Sequence, residues 1–128
     1  MDVADAVHDV SRAADTAGEA AEAAVDAKKA ADKSLRNARK RAVSQAWAKE
    51  ADMVRNTGVG TRDWTPDEIT ELINTGKGKG YDGHHMKSVK QYPELAGDPS
   101  NIQFLTRKKH FEAHCFNWRN ATHGRFIE

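Results

Sequence analysis

The chain has 128 residues, 38% hydrophobic and 30% charged, with a formal net charge of +1 and one cysteine, Cys115. That length suits one domain with an appendage, the modest apolar content implies a small core, and a single thiol excludes an intramolecular disulfide. No run approaches a membrane span and the N-terminus lacks the basic-then-apolar layout of a signal peptide, so an exported protein would need an address outside this chain or one read by another route.

The net charge conceals a polarity. Residues 1–32 carry eight acids and three bases, residues 33–57 seven bases and two acids, and residues 77–125 nine bases and four acids. An acidic head and a basic body point to a polyanionic partner for the body; a solvated helix surface would account equally well for 33–57 taken alone.

Residues 1–57 are expected to be helical. They are rich in alanine, the strongest helix former, and a 3-4 spaced stripe runs from Val3 through Ala14, Ala24 and Leu35 to Ala42, broken only at Lys28. The stripe is narrow and mostly methyl groups, so it suits close helix contact or a spacer better than a globular core. His8 lies in this segment and is expected to be an exposed surface histidine, with no chemistry nearby. Trp47, Met53 and Val54 bring larger apolar groups, so the expected division is an alanine-rich helical segment or linker at 1–40 and a folded domain at 41–128.

Gly58-Val59-Gly60 should end the long helix. Thr65-Pro66-Asp67-Glu68 is a strong helix start, with Thr65 as cap, Pro66 at the first helical position and Glu68 completing a capping box. Ile69, Leu72 and Ile73 would form its buried face and Gly76 its stop. The glycine-lysine run 76–80 lacks the spacing and terminal residues of a nucleotide phosphate-binding loop. Residues 81–86 are expected to be strand-like, Gly97-Asp98-Pro99 a turn, and 101–105 a second strand with Ile102 and Phe104 on one face. Thr106 can cap a last helix. The result is an α+β chain, mostly helical, whose final third runs strand, connection, strand, helix.

The chemistry concentrates there. His110 and His114 are four apart, so on a helix they share a face and can grip one ion. The pair His84-His85 offers a third ligand and leaves one imidazole for proton transfer. Adjacent residues on a regular strand point to opposite faces, so both can serve one site only if the backbone bends, which Gly83 would permit. The rival use of these ligands is a closed structural zinc site. Cys115 is a poor fourth ligand for it, standing about 100° round the helix from His114. Asn101 alone could be a turn-stabilising residue. Lys87, Lys90, Arg107, Lys108, Lys109, Arg119 and Arg125 are candidate phosphate contacts. Phe116 and Trp118 are expected to pack in the core or at a helix end rather than stack on bases.

The stretch from Tyr81 to Arg125 resembles the HNH endonuclease superfamily with its small ββα-metal finger. Within it, Gly83-His84-His85 and Asn101-Ile102-Gln103-Phe104-Leu105-Thr106 resemble the GHH clade of nuclease toxins. These are C-terminal parts of larger bacterial polymorphic and contact-dependent toxins, including rearrangement-hotspot effectors. The resemblance extends upstream to Trp64-Thr65-Pro66 and leaves the alanine-rich head outside. It implies that His84, His110 and His114 bind one divalent metal ion (zinc, nickel, magnesium or manganese). His85 would be the general base, and Asn101 the middle asparagine that helps hold the base loop or imidazole. It further implies hydrolysis of phosphodiester bonds, most naturally in DNA, leaving 5′-phosphate and 3′-hydroxyl. The protein would be a secreted effector that acts in the target-cell cytoplasm and is held by a cognate immunity protein in the producer's cytoplasm, with no membrane partner. The alternatives are a zinc-stabilised module that binds nucleic acid or protein without cutting, and an RNA-cleaving toxin on the same finger. Backbone contacts do not separate DNA from RNA unless the 2′-hydroxyl is read.

Overall fold

The computed structural model describes the backbone over residues 3–128 and side-chain surroundings from residue 20 onward. The expectation for His8 therefore lies outside the described side chains. The elements, in order, are α1 (Val3–Thr57), α2 (Pro66–Thr75), β1 (Tyr81–His85), β2 (Ile102–Thr106) and α3 (Arg107–Ala113), with short 3-10 turns at Pro93–Leu95 and Pro99–Asn101. The chain divides into two units, Met1–Ser34 and Leu35–Glu128. In the first, residues 20–34 are helical and exposed on every face. No described helix is long and apolar enough to cross a membrane.

The second unit is built around α1. Gly58 ends this helix at φ 78°, a left-handed conformation that glycine adopts without a Cβ penalty. Ala46, Trp47 and Val54 from α1 pack with Trp64, Leu72 of α2 and Phe104 of β2. Trp47 and Phe104 stack with ring centroids 3.8 Å apart, and Trp64 meets Tyr81 edge-on at 4.9 Å. Buried Glu50 organises the turn into α2: its carboxylate accepts from the Trp64 indole N–H at 2.9 Å, the Thr61 hydroxyl at 2.7 Å and the Thr61 backbone N–H. A buried carboxylate is tolerated when its lone pairs are filled in this way.

α2 begins as its sequence dictates. Thr65 caps it, a capping box with Glu68 is complete, and Gly76 closes it in the left-handed conformation. Ile73, assigned to the buried face, is instead largely exposed, while Leu72 is fully buried.

β1 and β2 pair antiparallel, with His84 opposite Gln103 and His85 opposite Ile102. β2 is buried on both faces, through Phe104 on one and Gln103 and Leu105 on the other. It starts one residue later than expected, because Asn101 belongs to the preceding 3-10 turn. Thr106 then caps α3 by accepting from the Lys109 N–H. Beyond α3 the chain returns along the sheet. Gln103 bonds the Phe126 backbone on both sides, at 2.8 and 2.9 Å, and the Ser88 N–H donates to the Thr122 carbonyl at 2.9 Å.

Candidate metal centre and active site

Three imidazoles converge between β1 and α3. The rings of His84, His110 and His114 form a near-equilateral triangle, with centroids 4.9, 5.2 and 5.1 Å apart. One nitrogen of each lies within 4.8 Å of the others. A small inward movement would bring all three to one ion, whose bonds to imidazole nitrogen are about 2.0–2.1 Å.

The hydrogen bonds around the rings decide which nitrogens face inward. His110 Nδ1 pairs with the Asp82 carboxylate at 2.9 Å, and His114 Nδ1 with the Asn120 carbonyl at 2.8 Å. Each therefore presents Nε2 to the centre, the tautomer control that metal-binding histidines use. Asp82 is itself held by Arg107 at 3.2 Å. Asp82 and His84 are two apart on β1 and so face α3 together. His84 is 1% exposed, and neither of its ring nitrogens has a hydrogen-bond partner. Buried polar atoms are rarely left so, and an ion at the centre would satisfy one of them. The donor set fits a divalent metal.

His114 is the C-terminal capping residue of α3 rather than part of its body. The next two residues, Cys115 and Phe116, have φ of 51° and 59°. This reversal lets Asn120 return to His114, and it places non-glycine residues in a region costing roughly 1–2 kcal/mol each. Cys115 is exposed and outside the cluster, so no fourth protein ligand closes the site among the described residues.

His85 faces the other side of the strand. The bend expected at Gly83 is absent: β1 keeps regular pairing through His85. Gly83 has a steric role instead, because a Cβ there would stand 2.7 Å from Cγ1 of Val43 on α1. The two adjacent imidazoles nevertheless border one cavity of about 580 Å³, which also meets His110, His114, Arg39 and Trp118. This is possible because, among the described residues, β1 pairs only with β2, leaving its other edge open to both faces.

The His85 ring is oriented by the loop after β1. Its Nε2 donates to the Ala96 carbonyl at 3.0 Å, leaving the Nδ1 lone pair available. Burial pushes the His85 imidazole below its ordinary value; the Ala96 bond opposes this and the Arg39 charge adds to it. Burial also lowers His110, against the opposing effect of Asp82, and drives His84 down to about 3 with help from the neighbouring imidazoles. All three are neutral near pH 7, as ligands and bases must be.

Among the described residues, the Asn101 side chain makes no hydrogen bond to an imidazole. Its amide brackets the Lys87 peptide, accepting from the Lys87 N–H at 2.9 Å and donating to the Lys87 carbonyl at 3.0 Å, with a longer bond to Leu95 at 3.5 Å. Leu95 precedes the residue that holds His85, so Asn101 ties Lys87 to the segment that orients the His85 ring.

The seven basic candidates do not gather at one place. Lys90 and Arg119 line the histidine cavity. Arg107 pairs with Asp82 and lies over the Trp118 ring at 4.6 Å. Lys109 pairs with Glu112, and Lys87 lies over Tyr92. Lys108 is exposed. Arg125 borders a separate cavity beside Lys49 and Glu50. Trp118 packs at the end of α3 against His110 and His114 as it borders the site. Phe116 touches Phe111 edge-on but is 66% exposed, so it is not a core residue.

Sequence reading missed Asp82, Asn120 and Arg39. Asp82 carried a usable signal, its period-two spacing from His84. Asn120 acts through its backbone and carried none.

Comparison with known proteins adds three facts. The model of the Tox-GHH family, "GHH signature containing HNH/Endo VII superfamily nuclease toxin", matches residues 29–106. The chain is 48% identical over 75 residues to Teneurin-3 of Mus musculus, 45% over 75 residues to Teneurin-4 of Mus musculus, and 39% over 80 residues to Teneurin-m of Drosophila melanogaster. These alignments cover 59%, 59% and 62% of this chain but only 3% of each relative. The family match reaches upstream of Trp64, where the resemblance read from the residues stops, and takes in the basic segment of α1. It ends at Thr106, so His110 and His114 lie beyond it and join the site by geometry. With most of its length matched, the chain belongs to the Tox-GHH family of HNH/Endo VII superfamily nuclease toxins.

Proposed function

We propose that this domain is a metal-dependent endonuclease that hydrolyses DNA. The observation that carries the proposal is the division of labour across β1: three imidazoles converge on one point, and a fourth, His85, borders the same cavity with a free Nδ1. His84, His110 and His114 would hold a divalent ion, with Asp82 and the Asn120 carbonyl fixing the rings of His110 and His114. A divalent ion held there would supply the positive charge that polarises a scissile phosphate and stabilises a departing oxyanion. His85 takes a proton from the attacking water at Nδ1, while its Nε2–H stays with Ala96. Asn101 keeps that loop in place. Lys90 and Arg119 supply positive charge at the cavity wall. The open cavity and the unused imidazole favour this reading over a closed structural zinc site.

In a larger protein the domain would act as an antibacterial effector inside the target cell, as the toxin family suggests. Its producer would then need an immunity protein that presents carboxylates to the basic surface, with fast, salt-sensitive association. The direct test is nicking of supercoiled plasmid, with RNA as comparison, with and without chelator. His85→Ala should lose cleavage with metal affinity retained, and His110→Ala should lose both. Near-full nicking by His85→Ala would overturn the base assignment. Cytoplasmic expression of wild type alone should arrest bacterial growth, and His85→Ala should relieve it.

A further inference from the structure

The basic segment of α1 takes no part in the chemistry assigned to the histidines. Arg36, Arg39 and Lys40 stand at i, i+3 and i+4, hence on one helix face spanning about one turn, roughly 5–6 Å of axis. Val43 and Trp47 continue that face and pack toward the sheet. Gly83 allows the close approach, since any side chain there would strike Val43. A groove of about 480 Å³ results, walled by the three cations and by Lys77 from the loop before β1, and bordered also by His85. Arg39 lines both this groove and the histidine cavity. None of the four cations forms an ion pair among the described residues, whereas Arg107 and Lys109 are already paired.

We infer that this groove is the second half of the nucleic-acid site. Arg39 contacts the phosphodiester at or beside the one being cut, and Arg36, Lys40 and Lys77 carry the backbone leading away from it. The inference rests on the nuclease reading of the histidine centre and adds the direction in which substrate leaves it. Four unpaired cations in a groove that opens on the proposed general base match a polyanionic strand, and phosphate contacts of this type fix register without reading sequence. A planar guanidinium at the junction suits two-point contact with a phosphate.

The test uses the full chain carrying His85→Ala, so that a short fluorescent DNA duplex is bound and not cut. Arg36→Ala with Lys40→Ala, and Lys77→Ala separately, should weaken duplex binding. Each should also flatten its salt dependence, by about 0.9 in log–log slope for every phosphate no longer neutralised. Lys28→Ala, outside the groove on the same helix, should change neither. Cobalt(II) affinity and thermal melting, measured alongside, should match the parent. In the otherwise wild-type chain, Arg39→Ala should slow plasmid nicking at saturating DNA by about tenfold or more, with Arg39→Lys recovering part of the loss. Unchanged duplex affinity and slope in the Arg36, Lys40 and Lys77 variants would overturn the inference. So would variants that keep DNA binding but lose an acidic protein partner, making the groove a protein-docking surface. Groove-dependent binding by a wild-type chain that never nicks plasmid would sink the nuclease reading and leave the groove standing. Normal nicking that ignores every groove substitution would do the reverse.

Discussion

His84 sets the behaviour of the site at the residue scale. Two unpartnered nitrogens on one buried ring cost the fold free energy, about 1–3 kcal/mol for a typical unsatisfied group, and a metal recovers part of that. Chelation should lower the melting temperature of the wild type and leave that of His84→Ala unmoved; differential scanning calorimetry reads both. The metal-free protein should also be acid-sensitive. The unfolded chain protonates His84 near its ordinary 6.5, and the folded chain only near 3. The unfolded state therefore binds more protons throughout that window, and stability must fall as pH drops through it. His84→Gln should flatten that slope in urea titrations with chelator present. His85 gives the corresponding kinetic signature. In the proposed role of base it must be neutral, and burial lowers its value, so cleavage should decline only below pH 6.5. An acid limb centred above 6.5 would contradict the environment of this ring. Asp82 does not line the histidine cavity, yet it fixes His110. Asp82→Ala should weaken metal affinity by about 10–100-fold, the usual cost of losing such a partner, with the defect read directly by metal titration.

At the scale of elements, local chemistry was legible and long-range placement was not. Thr65, Pro66, Glu68 and Gly76 delimit α2 because caps and stops act within one turn. Thr106 caps α3 for the same reason. The His110 and His114 pair was readable because helical spacing alone brings the side chains together. Gly83 was read as a bend because only its own backbone was in view. Its role is to admit Val43, a residue forty positions earlier, and no local pattern encodes that approach. Arg39 is the same case: the charge of its segment was plain, but its place in the lining of the histidine cavity depends on the approach of α1 to β1 at Val43 and Gly83. Gly83→Ala tests that packing. The added methyl would meet a branched side chain anchored on a helix, and overpacking of this kind costs about 1–3 kcal/mol. The expected result is a lower denaturant midpoint with unchanged slope, partly rescued by Val43→Ala, which removes the colliding carbons.

For the whole molecule, the question is where the functional unit begins. Among the described residues, buried side chains start at Ala42 and continue through Ala46, Trp47, Glu50 and Val54, and every residue from 20 to 34 is exposed. A helix segment that buries nothing contributes little to a core, because burial of apolar area is what offsets the entropy of ordering. The family match begins at residue 29, between the acidic head and the basic groove. Removing residues 1–28 should therefore leave the melting temperature, metal affinity and plasmid nicking close to those of the full chain. It also removes more acids than bases, which should strengthen duplex binding at low salt, with the difference vanishing as salt screens it. Ending the deletion at Ala42 instead would remove Arg36, Arg39 and Lys40 together with the first buried side chain, Ala42 itself. Duplex binding and cleavage should then fall together. If the shorter deletion alone abolished cooperative unfolding, the acidic segment would be part of the folded unit, and the boundary would have to move toward the N-terminus.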